Sequence, residues 1–345
     1  MIYIGIGSFL IVLSLLEVDK RFRLLSREGC YIAILLMIGL ATLRNGVGAD
    51  WYAYLKFYQN TEESSRVEAG YSYLNNLFSN MAAPYSLFLF VITTACITLV
   101  SSFLRYAGAF TATAMLVFYS DLFLYLNLSG MRQAIAIAIT CFALRFAISR
   151  KLLPFLSLVA IAISFHISAA IFLLAYLIPR SRLNWHHFFY VCFGATTIIY
   201  FLDTIALFIT DNTLKNASYY LNGIEVSDNA LLDFFVGGLK RLSVLAIVWM
   251  AWRDIKERPS FIYMLNLYIF GLAIYCLFYT LSADIGVRIS SYFTILDTVL
   301  IGLAVIHSKN LPTRIGIAMF VSVTCFYKLL GYASNPYYEY KFIFQ

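Results

Sequence analysis

The sequence is poor in charged residues and lacks the short polar motifs of many soluble enzymes. Only 12% of its 345 residues are charged, against roughly 25% in a typical soluble domain. It contains no Asp-x-Asp pair, no His-Glu zinc pattern and no phosphate-binding P-loop. These absences argue against a metal-dependent enzyme that uses nucleotide sugars, so neither a metal nor a cofactor is predicted.

Cysteine clusters and a cleavable leader are also missing. The six cysteines stand singly inside apolar runs, so neither a disulfide framework nor a zinc knuckle is expected. The first run has no basic start and no small-residue cleavage pattern, which predicts a retained span and not a removed signal peptide. The net charge of +7 is expected to reflect basic cytoplasmic loops and not nucleic-acid binding.

Hydrophobic residues dominate what is present. They make up 61% of the chain, which predicts an all-α, polytopic integral membrane bundle in one domain, 1–345. Two long polar loops, 45–83 and 210–234, interrupt it. About a dozen helices are expected from the apolar runs, which lie near 2–16, 30–43, 84–104, 109–126, 131–148, 152–165, 166–178, 187–209, 235–252, 261–281, 290–306 and 315–331.

The distribution of basic residues predicts an orientation. If the N-terminus is outside and each run crosses once, most of the 25 basic residues fall in inner loops. Reading 152–178 as one broken helix would instead move the 253–258 group outward, so two short helices are favoured. The predicted inner residues are Lys20, Arg21, Arg23, Arg27, Arg105, Arg145, Arg150, Lys151, Arg180, Arg182, Arg253, Lys256, Arg258, Lys309 and Arg314.

Several cations are predicted to lie near outer helix N-termini. Arg132 follows Ser-Gly, Lys240 and Arg241 follow Gly-Gly, and Arg288 follows Asp-Ile-Gly. Because a helix N-terminus is the positive end of the dipole, a cation there is favourable only if an anion is bound. Together with Arg44, the three arginines predict an outward-facing phosphate site. Snorkelling to lipid headgroups is the alternative for each of them.

A polar and aromatic stretch, Leu43–Tyr58, separates two apolar runs. Gly46 and Gly48 allow a tight turn, and Asp50 is predicted to cap the next helix. In that helix Trp51, Tyr54, Leu55 and Tyr58 share one face. Asp50 is either a helix cap or a catalytic carboxylate.

A single histidine, His166, interrupts the apolar segment AISFHISAAIF. It is predicted to lie at the outer turn between two short helices. A histidine at such a junction is either a structural hydrogen-bonding group or a general base.

Four segments together resemble a known family. RNGVGADWYAYLKFY is similar to the Arg-x-x-x-Gly-x-Asp-Tyr/Trp-x-x-Tyr signature of the EpsG-type polysaccharide proteins, relatives of the Wzy O-antigen polymerases. SGMRQAIAIAI, SFHISAAIFLLAYLIPR and VRISSYFTILDTVLI are similar in kind and order, and PYYEYKFIF is like the family's ending. The resemblance extends over nearly the whole chain.

The resemblance implies a GT-C-type glycosyltransferase in the bacterial cytoplasmic membrane. Such a polymerase joins oligosaccharide repeat units carried on undecaprenyl diphosphate at the outer face, and a chain-length regulator is an expected partner. It implies that arginines hold the departing diphosphate, that Asp50 or His166 is the base, and that Gly48 and Tyr54 belong to the substrate loop. The family's polar positions correspond to Arg44, Gly48, Asp50, Arg132, His166 and Arg288.

Two other functions fit the same features. An O-antigen-type ligase would use the same leaving group and the same cationic contacts, but a different acceptor. A flippase or transporter of lipid-linked oligosaccharide would need cations along a path through the bundle and usually internal repeats. In this sequence the predicted cations gather at one face, and no repeat is visible in the spacing of the runs.

Overall fold

The computed structural model describes residues 1–60, 67–182, 230–279 and 282–344, and these residues are almost entirely helical. A short 3-10 turn at Lys20–Phe22 connects the first two helices, and another at Pro336–Tyr338 follows the last helix of these ranges. The helices are α1 (Ile2–Leu16), α2 (Arg23–Thr42), α3 (Trp51–Gln59), α4 (Ala69–Asn80), α5 (Tyr85–Tyr106), α6 (Ala112–Phe118), α7 (Met131–Ile148), α8 (Leu152–Phe165), α9 (Ala230–Ile255), α10 (Phe261–Tyr279), α11 (Ala283–Thr294), α12 (Leu296–His307) and α13 (Leu311–Ser334).

The predicted apolar runs coincide with helices wherever the structure describes them. Within those ranges six helices are long and apolar enough to cross a membrane, or seven if α11 and α12 form one bent span. The chain is therefore a multi-pass membrane protein, but twelve crossings are not confirmed. The predicted run at 187–209 and most of the predicted loop at 210–234 lie outside the described residues.

Three helices depart from regular α-geometry near polar residues. α6 continues as a π-helix over Tyr119–Asn127, and α11 meets α12 at a bend of 43°. After α8, His166 is extended and a 3-10 helix follows over Ile167–Tyr176. π-turns and helix breaks often mark functional sites, and all three lie beside charged groups described below.

The chain reverses at His166, as the two-helix interpretation predicted. The rings of Phe155 and Tyr176 lie 5.4 Å apart, and the Tyr176 hydroxyl donates to the Arg150 carbonyl at 3.1 Å. The 14 residues of α8 and the ten of the 3-10 helix each extend for roughly 20 Å, so the two arms match in length. His166 therefore lies at the tip of a hairpin.

The alanine-rich helix α7 lies at the centre of the bundle. Ala134, Ala136, Ala138, Ala143 and Ala147 are all buried. Because small side chains let neighbouring backbones approach, α7 packs closely against α5 and α8. The residues Met131 to Ile148 have a helical rise of roughly 25 Å, so Arg132 lies far from the other end of α7.

The predicted inner residues meet at the end of the bundle opposite Arg132. The backbone N–H of Lys309 donates to Asp254 at 2.8 Å, and one cavity is lined by both Arg180 and Lys256. A second cavity joins Lys20 to α12 and to the start of α6. We call this end the basic face, comprising residues 17–28, 105–111, 145–151, 176–182, 253–263 and 305–314.

The predicted helix start at Gly237-Gly238 is wrong. α9 begins at Ala230, so Lys240 and Arg241 lie roughly three turns into the helix and not in its first turn. A Cβ at Gly237 would lie 2.3 Å from the Tyr275 hydroxyl. The glycine is there because α9 and α10 approach closely, and it does not mark a helix end.

A buried charge cluster joins three of the helical segments. Asp121, in the π-helix, accepts Lys240 Nζ at 2.6 Å and Lys328 Nζ at 2.8 Å. Only 9% of the Asp121 side chain is exposed, and the nearby Asp297 on α12 is buried. Ion pairs inside a membrane bundle satisfy charges that lipid would not. Lys240 therefore has a protein partner and does not mark a helix N-terminal anion site.

Candidate functional site

The loop that carries Asp50 is held by a later segment of the chain. The backbone N–H of Asn45 donates to the Lys341 carbonyl at 2.8 Å, and that of Gly48 donates to Tyr337 at 2.8 Å. A β-bridge joins Arg44 to Phe342. Residues 337–343 thus act as a strand-like clamp on residues 43–48.

Gly48 fits only because it has no side chain. Its φ is +107°, and a Cβ would lie 2.0 Å from the Leu128 carbonyl oxygen. The next residue, Ala49, donates its backbone N–H to the Ser129 hydroxyl at 3.0 Å. This close approach places Asp50 beside the start of α7, where Arg132 lies.

Arg44 is buried under this loop. It is only 1% exposed. Its Nη1 donates to the Asn127 carbonyl at 2.8 Å, and its guanidinium lies 5.2 Å from the Trp51 ring centroid. These contacts give Arg44 a structural role, because it ties the loop to the end of the π-helix.

Asp50 does not cap α3 with its side chain. It occupies the N-cap position, but its carboxylate makes no capping hydrogen bond. Partial burial raises the pKa of this carboxyl, whereas the charges of Arg288 and Arg132 lower it less strongly. The Asp50 carboxylate therefore lies in the electrostatic field of both arginines, and it is not occupied in capping α3.

Tyr54 belongs to the same site through Arg132. Tyr54 is only 4% exposed. The Arg132 guanidinium lies 6.0 Å from its ring centroid, and the Arg132 backbone N–H donates to its hydroxyl at 3.5 Å. Tyr54 packs on the cation and does not lie at a lipid boundary.

Glu68 is the centre of the site. One carboxylate oxygen, Oε2, accepts Arg132 Nη1 at 2.5 Å, and the other, Oε1, lies 2.9 Å from His166 Nδ1. All three side chains are partly buried, with 16–26% of each exposed. The structure thus brings together Arg132 and His166, two residues predicted from distant segments, through a carboxylate that the sequence analysis did not single out.

The partners of Glu68 keep it ionised. Burial raises the pKa of its carboxyl, but the hydrogen bond with His166 and the charge of Arg132 outweigh burial and lower the pKa to about 2. An ionised carboxylate only accepts hydrogen bonds, so the contact requires the proton on His166 Nδ1. In the neutral ring, Nε2 is then the proton acceptor.

Arg288 lies on α11 near these charged side chains. Its Nε donates to Asp284 Oδ1 at 2.9 Å, one turn earlier on the helix. Its backbone carbonyl accepts Gln133 Nε2 at 2.7 Å, which fixes α11 against the start of α7. Arg288 also acts electrostatically on Asp50. Arg288 and Arg132 therefore both act electrostatically on the Asp50 carboxylate.

The recess, our name for the group of Asp50, Glu68, Arg132, His166, Asp284 and Arg288, is not purely cationic. Two arginines, Arg132 and Arg288, face three carboxylates: Glu68, Asp284 and Asp50. Each arginine uses one carboxylate as a partner, although a guanidinium has five donors and can bind a second anion. The arrangement combines a carboxylate–histidine pair for proton transfer with cations for a charged group.

Arg241 lies apart from this group in the contacts of the described residues. Its guanidinium lies 3.7 Å from the Tyr275 ring centroid, and Nη1 donates to the Gly237 carbonyl at 3.0 Å. No contact described for it reaches Arg132 or Arg288. Across those same ranges, no three His, Cys, Asp or Glu side chains are grouped so as to hold a metal ion.

Glu68 carried little signal in the sequence. It follows other acidic residues in a polar loop, and it comes just before α4, at the N-cap position of that helix. A Cβ on the nearby Gly70 would lie 2.8 Å from the Ser164 carbonyl oxygen. This tight contact between α4 and the end of α8 brings Glu68 to His166, and only the folded structure reveals it.

Comparison with known proteins identifies the family of the chain. No curated protein and no solved structure matches the chain. The EpsG family model matches residues 29–342, which include the clamped loop, Glu68, α7, the His166 hairpin and α11. The chain belongs to the EpsG family, a family of Wzy-type polysaccharide polymerases.

Proposed function

We propose that this protein joins oligosaccharide repeat units carried on undecaprenyl diphosphate, at the outer face of the bacterial cytoplasmic membrane. The family supports polysaccharide polymerisation. The recess lies at the end of the bundle opposite the basic face, which is the end that the positive-inside rule assigns to the outside. In this proposal the fold serves as a GT-C-type glycosyltransferase, and a chain-length regulator is a further partner.

The observation that carries this proposal is the Glu68 carboxylate between Arg132 and His166. Glu68 orients the His166 ring and stabilises the imidazolium that forms when the ring takes a proton, as carboxylates do in other histidine-based sites. His166 Nε2 is then the general base for the hydroxyl of the acceptor sugar. This makes His166 the proposed base and gives Asp50 another task.

The reaction forms one carbon–oxygen bond, breaks another and transfers one proton. The acceptor hydroxyl oxygen attacks the anomeric carbon of the donor's first sugar with inversion, and its proton moves to His166. The bond from that carbon to the diphosphate oxygen breaks, and the lipid diphosphate leaves with the electron pair. Arg288 and the donors of Arg132 not used by Glu68 neutralise the charge that develops on it.

The other predicted residues have supporting tasks in this proposal. Asp50 accepts a hydrogen bond from the acceptor sugar, within the field of the two arginines. Arg44, Gly48 and Tyr54 position Asp50 and Arg132 through the contacts described above. Arg241 is not placed in the diphosphate subsite, because its contacts are with α10 and with its own helix.

The purified protein tests this function when it is given one lipid-diphosphate repeat unit and no other acceptor. A polymerase converts that substrate into a ladder of products. Conversion only after addition of a second acceptor would indicate a ligase. Movement of the lipid across vesicle membranes without new linkages would indicate a flippase.

A pair of arginine variants tests the site within the same assay. Arg288→Ala should abolish the ladder, because the leaving diphosphate loses a preorganised cation, a loss of about 10²–10³ in rate for one such group. The control is Arg253→Ala, an exposed arginine of the basic face, which should leave the ladder unchanged. Equal ladders from both variants would contradict the assignment of Arg288.

A further inference from the structure

A cavity of about 330 Å³ opens on the basic face, far from the recess. Lys20, Arg23 and Arg27 line it, and Glu17 is the acidic residue in its wall. Lys20 and Arg27 are exposed, so they lie at the mouth, whereas Arg23 is only half-exposed and lies deeper. The proposed polymerase reaction uses none of these residues.

Glu17 makes no ion-pair contact with these cations among the described residues, because its carboxylate oxygens are engaged elsewhere, although its charge acts on Arg23. It accepts the backbone N–H groups of Ala112 at 2.7 Å and Thr113 at 2.8 Å, and also the Thr113 hydroxyl. These bonds satisfy the first turn of α6. The carboxylate therefore holds the helix start. Three cations and this one carboxylate line the cavity, so it keeps an excess of positive charge, although Arg27 Nη2 also lies 3.5 Å from the exposed Glu28 carboxylate.

The deeper guanidinium groups have donors without protein partners. Arg23 Nε donates to the Glu17 carbonyl at 3.4 Å, but its Nη2 has no hydrogen-bond partner among the described residues. Arg314 does not line the cavity, but it is close enough to act electrostatically on Arg23 and is 6% exposed. Its Nε and Nη1 also lack partners there. Buried donors in native proteins are normally paired, so an unpaired group calls for an additional acceptor.

The outer surface of α2 leads away from this cavity as an apolar stripe. Leu24 lines the cavity and is 63% exposed. Leu25, Ile32, Leu35 and Leu36 are also exposed on the same helix. Leu25 lies seven residues before Ile32, and Leu35 and Leu36 lie three and four residues after it, so all four share one helical face. A ligand with its anion in the cavity can therefore lay hydrocarbon chains along α2.

We propose that this cavity binds the phosphate headgroup of an anionic phospholipid, with its acyl chains on the stripe of α2. Three cations around a cavity at the cytoplasmic end of membrane helices match the chemistry of such headgroups. The stripe distinguishes a lipid from free phosphate, which would have no use for it. The bound lipid supplies the acceptor that Arg23 Nη2 lacks.

Native mass spectrometry of the full-length protein in detergent tests this site. The protein is titrated with phosphatidylglycerol, with phosphatidylcholine of the same acyl chains, and with inorganic phosphate. Phosphatidylglycerol should bind at least about tenfold more tightly than phosphatidylcholine, because each basic residue near the headgroup contributes to anion binding. Inorganic phosphate at the same concentrations should not displace it.

Two charge-matched double variants make the test specific. Lys20→Gln with Arg27→Gln removes both exposed cations at the mouth and should abolish the preference for phosphatidylglycerol. Lys151→Gln with Lys309→Gln removes two exposed cations elsewhere on the basic face and should retain it. Equal binding of the two lipids to the unmodified protein, or an equal preference in both double variants, would overturn the proposal.

Displacement by inorganic phosphate would assign the cavity to a soluble anion and would also overturn the lipid proposal. If the Lys20 and Arg27 double variant unfolds in detergent, Lys20→Gln alone is compared with Lys309→Gln in the same titration. A further variant, Leu24→Ser, should weaken binding of long-chain phosphatidylglycerol more than binding of its headgroup alone. An equal effect on both would contradict the seating of the chains on α2.

Discussion

Glu68 determines how the residues of the recess work together. An ionised carboxylate between a guanidinium and an imidazole fixes both partners and sets the tautomer of the ring. Arg132 therefore does two things in the proposed mechanism: it holds Glu68, and it offers its remaining donors to the diphosphate. Histidine without this carboxylate would be free to rotate and would be a poorer base.

We expect Glu68→Gln to slow polymerisation by about 10²- to 10⁴-fold, the range that a positioned acid–base group contributes. Glutamine keeps the shape of the side chain but cannot stabilise the imidazolium of His166. The measurement is the initial rate of ladder formation with lipid-linked repeat units. Glu257→Gln, which changes an exposed carboxylate on the basic face, is the control. A rate for Glu68→Gln equal to that of the control would show that Glu68 has no part in proton transfer.

The depressed pKa of Glu68 also predicts how stability depends on pH. Its carboxyl has a pKa of about 2 in the folded protein, against 4.5 ordinarily. The unfolded chain therefore binds a proton first as the pH falls, and the folded state loses stability between pH 4.5 and 2. Above pH 4.5 this contribution is fully present.

Thermal unfolding in detergent checks this dependence. The difference in Tm between the unmodified protein and Glu68→Gln should be constant above pH 5, shrink below pH 4.5 and be smallest near pH 2. A gap that does not change over this range would contradict the ion-pair assignment.

Two helix contacts at the scale of elements position the recess. α4 approaches the end of α8 closely at Gly70, which brings Glu68 to the tip of the His166 hairpin. α11 is fixed against α7 by the bond from Gln133 to the Arg288 carbonyl. The site residues thus lie on element ends that are held by packing and not by the loops alone.

Gly70→Ala should reduce the rate of polymerisation, because it should push α4 away from α8 and so separate Glu68 from His166. The added Cβ would lie 2.4 Å from the Ser164 hydroxyl and 2.8 Å from the Ser164 carbonyl oxygen, so the backbones must move apart. The matched control is Gly39→Ala, also in a helix, where a Cβ meets nothing within 4 Å. We expect the control to retain both rate and Tm. An unchanged rate in Gly70→Ala would mean that the spacing of Glu68 and His166 is not critical.

The sequence predicted the helices well, because each apolar run is long enough to indicate a helix. It also identified Arg132, His166 and Asp50 as polar residues that an apolar bundle would not otherwise contain. It could not identify Glu68, because nothing in its neighbourhood tells which of several loop acids meets a distant histidine. The Gly237-Gly238 error has a similar cause: glycines for close helix packing resemble glycines at a helix end.

At the scale of the whole molecule, the two ends of the bundle carry different chemistry. The basic face carries the predicted inner loops and the cavity at Lys20, Arg23 and Arg27, whereas the recess lies at the other end of α7. The proposed function requires the recess to face outward. Orientation in the membrane is therefore the property on which the substrate assignment depends.

Cysteine labelling in intact cells tests this orientation. In a background without reactive native cysteines, Asp50→Cys should react with a membrane-impermeant maleimide added from outside. Lys309→Cys, exposed on the basic face, should react only after the cells are opened. Labelling of Lys309→Cys in intact cells, with Asp50→Cys protected, would invert the topology and remove the extracytoplasmic reaction.

The clamp formed by residues 337–343 has a consequence for how the protein is made. The loop that carries Asp50 leaves the ribosome early, but the backbone groups that pair with Asn45 and Gly48 are translated only after α13. Until then the loop lacks the partners that fix its path. The candidate site is thus completed only once every described membrane helix has been synthesised.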